Sequence, residues 1–421
     1  MARKRHVIVG CSAAGLSALE TIRSLAPEDE IRVVSREKTL PYSPAVLPYL
    51  VSGRLSEDNL WIKSKGYFSR MKVSLSLGKG VAKVVPDGKK IVYSDGDSEA
   101  FDTLLIGVGA EPAKLPISGL TDSIVHFHAL EDFQRLAQLL GKNTEKEVFI
   151  YGGGLVAVEL AMNLLERGNP VSIVVRSRIL RGYFNEYVGS VIEDILRSKG
   201  ARIYTQSEIK EGKKQKGRIE VALSTGKSLV SDILINCIGV KPRTSVVHGT
   251  KIKINAGIIA NRRMETNIPG VYTAGDVAEA PSFFSDELGI NPILPSAFGQ
   301  GRVAGANMAG KTKEYEGWIS ENILNLFGNM GCSIGLAMPS NSSYEVLEEK
   351  SDIRKRFKRL VFKGDRLQGA MFFNVDADPG TIRYLIEKKV DLRSHKEALL
   401  EKTDKMGLWL VDCAEREKKV L

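Results

Sequence analysis

Residues 6–15 read His-Val-Ile-Val-Gly-Cys-Ser-Ala-Ala-Gly, an apolar β-branched run that changes into small residues and then into a helical pattern. This order predicts a strand, a tight turn and a helix. Glycine permits the turn, small residues let backbone amides approach a pyrophosphate, and a last glycine lets the helix pack on the strand. The residues expected to face the phosphates are Gly10, Ser12, Ala13, Ala14 and Gly15. The spacing is that of the dinucleotide fingerprint G-x-G-x-x-G, although one such match also occurs as an ordinary βα turn.

A second copy of the pattern follows the apolar run 147–151. Here the turn begins at Gly152, and Ala157 occupies the third glycine position. Two strand–turn–helix units predict two dinucleotide-binding domains. The residues expected to contact the second nucleotide are Gly152, Gly154, Leu155 and Val156.

The composition is that of a globular protein, with 43% hydrophobic and 26% charged residues among 421. This length predicts about two to three domains. The basic residues at 3–5 precede an apolar segment too short for a signal peptide, and no apolar run could span a bilayer. We therefore expect a cytoplasmic protein without a membrane partner. The net charge of +10 is dispersed, which favours a solvated surface over a nucleic-acid partner.

The four cysteines are far apart and form no C-x-x-C pair and no metal-ligand spacing. We expect each of them, Cys11, Cys237, Cys332 and Cys413, to be a small buried residue in a reducing compartment. The sequence therefore predicts no metal site and no redox-active disulfide.

The two predicted second strands end differently. In the first domain Glu37 lies where an acidic residue binds the ribose, although an exposed loop glutamate is the alternative. In the second domain residues 171–178 contain no acid, and Arg176, Ser177 and Arg178 are positioned to hold a 2′-phosphate. This pattern predicts that NADP(H) is preferred over NAD(H). The alternative is that these arginines are ordinary surface charges.

Residues 40–53 carry the pattern P-Y-S-x-x-x-L-P-Y-x-x-x-G. This segment resembles the FAD-dependent pyridine-nucleotide oxidoreductases, in particular the branch of ferredoxin, rubredoxin and nitrite reductases. The resemblance implies that the segment lies against the flavin, with Pro44 near the isoalloxazine ring.

The resemblance extends over residues 104–112, 234–242, 271–278 and 295–302. It implies that Asp276 binds the FAD ribityl chain and that the helix after residue 295 begins at the pyrimidine edge of the flavin. Ser296 is the residue type expected at the N-cap of that helix. It also makes Glu159 a candidate for positioning the nicotinamide; the alternative is a first-turn glutamate that complements the helix dipole. Further cofactor-binding residues implied by the resemblance are Val81, Gly109, Gly239, Pro295 and Ala297.

The expected fold is α/β, with two Rossmann-like dinucleotide-binding domains, the second inserted in the first, and a C-terminal α+β interface domain. The FAD domain comprises residues 1–113 and 240–312, and the NAD(P) domain residues 114–239. Residues 313–421 form the third domain. Similarity to the family implies that this domain covers the flavin and helps form a dimer or partner interface. Its basic run 354–359 could dock an acidic electron carrier, but a charged edge strand is the favoured explanation.

Relatives that form a sulfenate or a mixed disulfide carry a reactive cysteine where this chain has Ala45. The resemblance therefore implies an NAD(P)H:acceptor oxidoreductase that exchanges electrons with an iron–sulfur protein. Residues 184–186, and the pattern as a whole, resemble the nicotinamide-reducing subunit of phenylglyoxylate dehydrogenase-type complexes. A homo-oligomer is also compatible with the sequence. The alternatives are a free-standing oxidase or diaphorase, and a non-enzymatic FAD-containing binding protein.

Overall fold

The computed structural model describes residues 3–115, 117, 119–142, 145–340 and 342–420. The chain divides into two compact units. The first unit consists of Met1–Val46, Leu55–Ala113 and Val240–Ile319, and the second of Leu47–Arg54, Lys114–Gly239 and Ser320–Leu421. The division into three domains stays a prediction, because it concerns which segments bind ligands rather than which segments are compact.

The helices of the described chain are short to medium in length. They are α1 (Ala13–Leu25), α2 (Leu47–Val51), α3 (Lys65–Arg70), α4 (Leu130–Leu140), α5 (Leu155–Arg167), α6 (Glu186–Ser198), α7 (Leu294–Met308), α8 (Pro379–Glu387), α9 (Lys396–Glu401) and α10 (Thr403–Val420). Among the described residues, none of them is both long and apolar enough to cross a membrane.

The strands fall into two parallel sheets, one small mixed sheet and several antiparallel ones. They are β1 (Arg5–Val9), β2 (Glu30–Val34), β3 (Val73–Ser76), β4 (Val81–Val85), β5 (Lys90–Tyr93), β6 (Ser98–Ala100), β7 (Thr103–Ile106), β8 (Ala110–Pro112), β9 (Ile124–His126), β10 (Val148–Tyr151), β11 (Val171–Val174), β12 (Arg202–Tyr204), β13 (Ile209–Gln215), β14 (Arg218–Leu223), β15 (Ser228–Ser231), β16 (Ile233–Asn236), β17 (Val240–Pro242), β18 (Ile258–Ile259), β19 (Val271–Thr273), β20 (Ala278–Pro281), β21 (Leu288–Gly289), β22 (Glu321–Leu326), β23 (Asn329–Gly335), β24 (Glu345–Ser351), β25 (Arg356–Lys363) and β26 (Arg366–Phe373).

The first unit is built on a parallel sheet in the order β19-β7-β1-β2-β3. The central strand β1 is buried from His6 to Val9, as expected for a parallel sheet covered on both faces. Helices α1 and α7 cross at very close range: a Cβ on Gly301 would lie 2.2 Å from the carbonyl oxygen of Ala14. The crossing therefore requires glycine at that position of α7.

The second unit repeats this design with a parallel sheet in the order β12-β11-β10-β16-β9. Its central strand β10 again precedes a fingerprint turn and a helix, α5. Next to α6, Phe184 is fully buried and the Asn185 side chain caps the helix by accepting the N–H of Val188 at 3.0 Å. Both residues therefore have a structural role.

The C-terminal part of the second unit is an antiparallel sheet in the order β22-β23-β26-β25-β24, which contacts α8 and α9. Strand β25 contains most of the basic run and lies between β26 and β24. The interpretation of this run as an edge strand is therefore wrong; the edge is β24.

Two predicted boundaries differ from the structure. Strand β2 ends at Val34, three residues before Glu37. Helix α7 begins at Leu294 after the N-cap Ile293, because proline is favoured at the first positions of a helix and Pro295 fits there. Ser296 lies inside the first turn, where its hydroxyl accepts a hydrogen bond from the Asn291 amide at 2.8 Å. Its assignment as N-cap is wrong.

Candidate functional site

The first fingerprint turn is shaped by backbone contacts that only glycine allows. Gly10 has a φ of +114°, and a Cβ there would lie 2.0 Å from the carbonyl oxygen of Gly107. Its N–H donates to the carbonyl of Val34 at 2.8 Å. A Cβ on Gly15 would lie 2.0 Å from the carbonyl oxygen of Gly10. The turn between β1 and α1 is thus wedged against its two neighbouring strands.

Three helices begin without the acidic or capping side chain that usually stabilises a helix N-terminus. Helices α1, α5 and α7 have no side-chain cap and no acidic residue in the first turn, as far as the described residues go. The other helices of eight or more residues have an acid or a capping side chain there; these residues are Asp132, Asn185, Glu186, Asp378 and Asp404. Bare N-terminal amides fit an anion or a ring that gains negative charge. This pattern fits FAD at α1 and α7 and a nicotinamide dinucleotide at α5.

Within the first unit, three predicted segments meet at Gly275. A Cβ on Gly275 would lie 3.4 Å from the Cβ of Ala14 and 3.9 Å from the Cβ of Ala297. The N–H of Gly275 donates to the Gln300 side-chain carbonyl at 2.8 Å. The fingerprint turn, the loop that carries Asp276 and the start of α7 with Pro295 therefore lie together, as the resemblance implies for a flavin site.

The remaining predicted residues of the first unit lie on turns and strand ends. Pro44 opens an exposed 3₁₀ turn, Pro44–Val46, and Val81 begins β4 and packs on the apolar cluster at the ends of β1 and β2. Gly109, with a φ of +68°, has open space around it. The side chain of Glu37 is exposed after β2.

The cysteines are all free, and the environments of Cys11, Cys237 and Cys332 do not favour thiolates. Burial, together with the nearby Glu37 carboxylate, raises the pKa of Cys11 to about 12, and burial raises the pKa values of Cys237 and Cys332 to about 12 as well. The expectation that every cysteine is buried is wrong for Cys237 and Cys413, which are half-buried.

The second fingerprint turn repeats the first. Gly152 has a φ of +135°, and a Cβ there would lie 2.1 Å from the carbonyl oxygen of Cys237. Gly154 is the N-cap of α5, and Leu155 and Val156 form its first turn, with Val156 45% exposed. Gly239, which follows the neighbouring strand β16, has a φ of +119° with open space around it.

Glu159 is the fifth residue of α5 and is half-buried. Burial raises the pKa of its carboxyl to about 7. Helix α2 packs on α5, and the Tyr49 hydroxyl of α2 is close enough to Glu159 for their charges to interact. The first turn of α5 contains no acidic residue, because Glu159 lies beyond it. The interpretation as a first-turn glutamate is therefore wrong, and the raised pKa makes Glu159 a group that can hold or release a proton near neutral pH.

The arginines after β11 point to different partners. Arg176 is exposed, with the half-buried Ser177 beside it. The guanidinium of Arg178 donates to the carbonyls of Phe184 at 2.8 Å, Asn185 at 3.3 Å and Ile179 at 3.4 Å. Arg176 is thus the cation of this pair that is available to a ligand, whereas Arg178 holds the following loop.

The family model for the pyridine nucleotide-disulphide oxidoreductases matches residues 4–309. The chain belongs to this family. Among its relatives is the epsilon subunit of NADH-dependent phenylglyoxylate dehydrogenase from Aromatoleum evansii, 33% identical over 92% of each chain. Another is NADH-rubredoxin oxidoreductase from Clostridium acetobutylicum, 28% identical over 78% of this chain and 80% of the relative.

Solved structures of family members share the fold. An engineered water-forming NADPH oxidase bound to NADPH is 22% identical, with a TM-score of 0.86, and covers 99% of this chain and 100% of its own. The parent NADH oxidase from Lactobacillus brevis bound to NADH is 20% identical, with a TM-score of 0.85 and the same coverage. The predicted fold class, two Rossmann-like domains for FAD and NAD(P) with a further C-terminal region, is confirmed.

Family membership makes the chain an FAD-dependent NAD(P)H oxidoreductase. The individual binding and catalytic residues stay predictions. Sequence reasoning missed Gln300, which orients the loop of Asp276, and Gly301, which allows α1 and α7 to touch. The signal was present as G-x-x-x-G at residues 301–305, a spacing of small residues that permits close approach of two helices.

Proposed function

We propose that this oxidoreductase uses NADPH in preference to NADH and exchanges electrons with a separate iron–sulfur protein. The observation that carries the first part is the exposed Arg176 beside Ser177 at the end of β11, a strand without a terminal carboxylate. A guanidinium and a hydroxyl can hold a 2′-phosphate by charge-assisted hydrogen bonds, whereas a carboxylate would repel it.

The engineered NADPH oxidase supports this assignment through the spacing of its substitutions. It replaces a glycine by alanine and, eighteen positions later, replaces Asp-Ala-Met by Ala-Arg-Ser. This chain has Ala157 and, eighteen positions later, Val175-Arg176-Ser177. The fifth change, proline to arginine, has no counterpart here, since Gly182 occupies that position. At three of the five positions this chain has the same residue as the engineered enzyme. At a fourth position, Val175, it has an uncharged residue, as the engineered enzyme does.

The chain's own residues divide the binding work. With both groups bound, the amides at the start of α1 and α5 would hold the two pyrophosphates, Asp276 would accept hydrogen bonds from hydroxyl groups, and the bare end of α7 would stabilise negative charge on the flavin. Glu159, with its pKa near 7, would orient the nicotinamide and could hold a proton beside it. Bound FAD would supply the capacity to accept two electrons together and release them singly.

The onward path of the electrons is proposed to be an external carrier. Ala45 stands where thiol-dependent relatives carry a cysteine, so this position offers no sulfur to form a sulfenate or a mixed disulfide. One relative is an NADH-rubredoxin oxidoreductase. Another is a phenylglyoxylate dehydrogenase subunit that aligns over nearly its full length. We therefore propose that the chain is the nicotinamide-reducing subunit of a 2-oxoacid dehydrogenase complex.

Anaerobic reduction of the bound flavin by each nucleotide tests the cofactor preference. We expect kcat/KM for NADPH to exceed that for NADH, and an equal or higher value for NADH would overturn the preference.

The partner is tested by purifying the native protein under anaerobic conditions and measuring iron and acid-labile sulfide in the material that co-purifies. We expect an iron–sulfur partner. A lone flavoprotein that rapidly forms peroxide from NADPH would favour a free-standing oxidase instead.

A further inference from the structure

The hairpin between β24 and β25 ends in a protruding tip, Asp352–Arg356, which we call the Ile353 tip. Ile353 is 98% exposed, the highest value among the exposed large apolar side chains of the described chain. Arg354, Lys355 and Arg356 are exposed next to it. The cations can attract an acidic surface, and the exposed apolar side chain beside them can be buried in the contact that follows.

The basic run 354–359 lies partly in the tip and partly in the stem of the hairpin, where Lys358 and Arg359 are located. Lys358 is paired with Glu349 at 2.9 Å, and Arg359 is paired with Glu348. Lys358 also donates to the carbonyls of Leu400 and Glu401 at 3.0 Å. These two cations therefore stabilise the sheet and are not available to a partner.

The cations of the tip are not neutralised in this way. No carboxylate of the described chain lies within 4.0 Å of the charged groups of Arg354, Lys355 or Arg356. In the stem, by contrast, Lys358 and Arg359 each have a carboxylate partner. The one acid in the tip, Asp352, lies beside the Tyr187 hydroxyl. The Ile353 tip thus carries a net positive charge.

Hydrogen bonds anchor the backbone at both ends of the tip. The Asn374 amide donates to the carbonyl of Lys355 at 3.3 Å, and the Tyr187 hydroxyl donates to the carbonyl of Ser351 at 3.3 Å. The Tyr187 ring packs on Phe357, with 5.7 Å between centroids. A protrusion that is ordered before binding loses less conformational entropy when it docks.

We propose that the Ile353 tip is the docking element for the acidic surface of the iron–sulfur protein with which this oxidoreductase exchanges electrons. The proposal rests on the proposed function. The cations attract and orient the acidic partner, and Ile353 enters an apolar depression on it. The structure favours a protein over a nucleic acid, because the tip offers no aromatic ring to stack on bases. It favours a protein over a lipid surface, because a single apolar side chain gives weak membrane attachment.

A second basic hairpin provides a matched control. At the tip between β13 and β14, Lys214 and Lys216 are exposed, and no carboxylate of the described residues is paired with them. This tip has no exposed large apolar residue between residues 214 and 217. The double variants Arg354→Glu/Lys355→Glu and Lys214→Glu/Lys216→Glu change the net charge equally.

The test measures binding separately from electron transfer. The probes are two purified acidic carriers, a rubredoxin and a ferredoxin with two [4Fe–4S] clusters, titrated against the oxidised full-length holoprotein by calorimetry at low and at moderate salt. We expect Arg354→Glu/Lys355→Glu to raise Kd for at least one carrier about tenfold or more at low salt, and Ile353→Ser to raise it about threefold or more. Beyond the general effect of the lower net charge, Lys214→Glu/Lys216→Glu should change Kd no more than about twofold from the value of the unaltered protein.

The outcomes are distinct. An unchanged Kd in both tip variants, an equal change in the control, or no binding of either carrier to the unaltered protein overturns the docking surface. Loss of binding to anionic phosphatidylglycerol vesicles or to a DNA duplex in the tip variants, with carrier binding unchanged, overturns it in favour of another partner class. Carriers that bind through the tip and are never reduced by NADPH or NADH leave the surface in place and overturn the proposed function.

Discussion

The two fingerprint turns have nearly the same backbone and different surroundings. Gly10 and Gly152 both have a large positive φ and both press against the carbonyl of a neighbouring strand, at 2.0 Å and 2.1 Å from a hypothetical Cβ. In the first unit the third position must be glycine, whereas the second unit has Ala157, which is fully buried. The turn itself is thus fixed by packing against the neighbouring strand, while the helix that follows is free to vary with its neighbours.

The largest expected effect breaks the tighter turn. In Gly15→Ala the new Cβ would lie 2.0 Å from a backbone oxygen, so the chain must move. We expect the free energy of unfolding to fall by about 3 kcal/mol or more, as measured by thermal unfolding. We also expect the bound flavin to be lost, as measured by visible absorbance per chain. The reciprocal change, Ala157→Gly, should cost about 1 kcal/mol through helix propensity and leave the flavin in place. Normal flavin content in Gly15→Ala would contradict the distinction.

The second prediction concerns Glu159, the half-buried acid of α5, which has no counterpart in α1. The pKa of Glu159 is raised from 4.5 to about 7, so the folded state binds its proton more tightly than the unfolded state. The contribution of this carboxyl to stability is therefore greatest below pH 4.5, falls as pH rises towards 7 and then levels off. The loss amounts to up to about 3 kcal/mol.

The variant Glu159→Gln should remove this loss, so that it is more stable than the unaltered protein at pH 8 and similar to it at pH 4.5, as judged by urea unfolding. The exposed Glu211→Gln on β13 serves as the control. Parallel pH profiles for Glu159→Gln and the unaltered protein would show that burial does not perturb this carboxyl.

The third prediction sharpens the contrast between the strand ends, Glu37 in one unit and Arg176 in the other. Arg176→Ala should lower kcat/KM for NADPH about 10- to 100-fold, because a charge-assisted hydrogen bond to phosphate is lost, and should change the value for NADH about twofold at most. Arg178→Ala, which removes contacts to backbone carbonyls, should lower the unfolding temperature without altering the NADPH-to-NADH ratio. An equal decrease for both nucleotides in Arg176→Ala would sink the 2′-phosphate role.

The smallest effect distinguishes the central strands. His6 of β1 is buried, with its ring nitrogens 2.7 Å from Thr103 Oγ1 and 2.9 Å from Asp29 Oδ2, and the corresponding position in β10 is Val148. Burial lowers the pKa of His6 below 6.5 in spite of the Asp29 carboxylate. The stability that the buried, neutral His6 contributes is thus fully present above pH 6.5 and is lost as pH falls below it.

His6→Gln should keep hydrogen bonds and remove this dependence. The unfolding midpoint of the unaltered protein should fall by a few degrees more between pH 7 and pH 5 than that of the variant. Identical midpoint shifts would show that other groups control acid sensitivity.

The sequence predicted the features that depend on local backbone geometry. Both fingerprint turns follow from glycine, small residues and apolar strands within ten positions, and the order of elements follows from them. The roles of Arg178 and Ser296 depend on partners that a local pattern does not reveal. Arg178 binds carbonyls of the loop at residues 179–185, and Ser296 accepts a hydrogen bond from Asn291 at the start of α7. Similarly, only the pairing of β24 with β25 shows that the charged run lies inside a sheet.

The first unit is completed by β19, which pairs with β7, and by α7, which packs on α1. Both elements are translated only after residues 114–239. The early strands and α1 must therefore wait, with an apolar helix face uncovered, until that long segment has been made. Flavin capture is consequently a late event in biogenesis, and chaperone dependence should be concentrated in the N-terminal segment of the nascent chain.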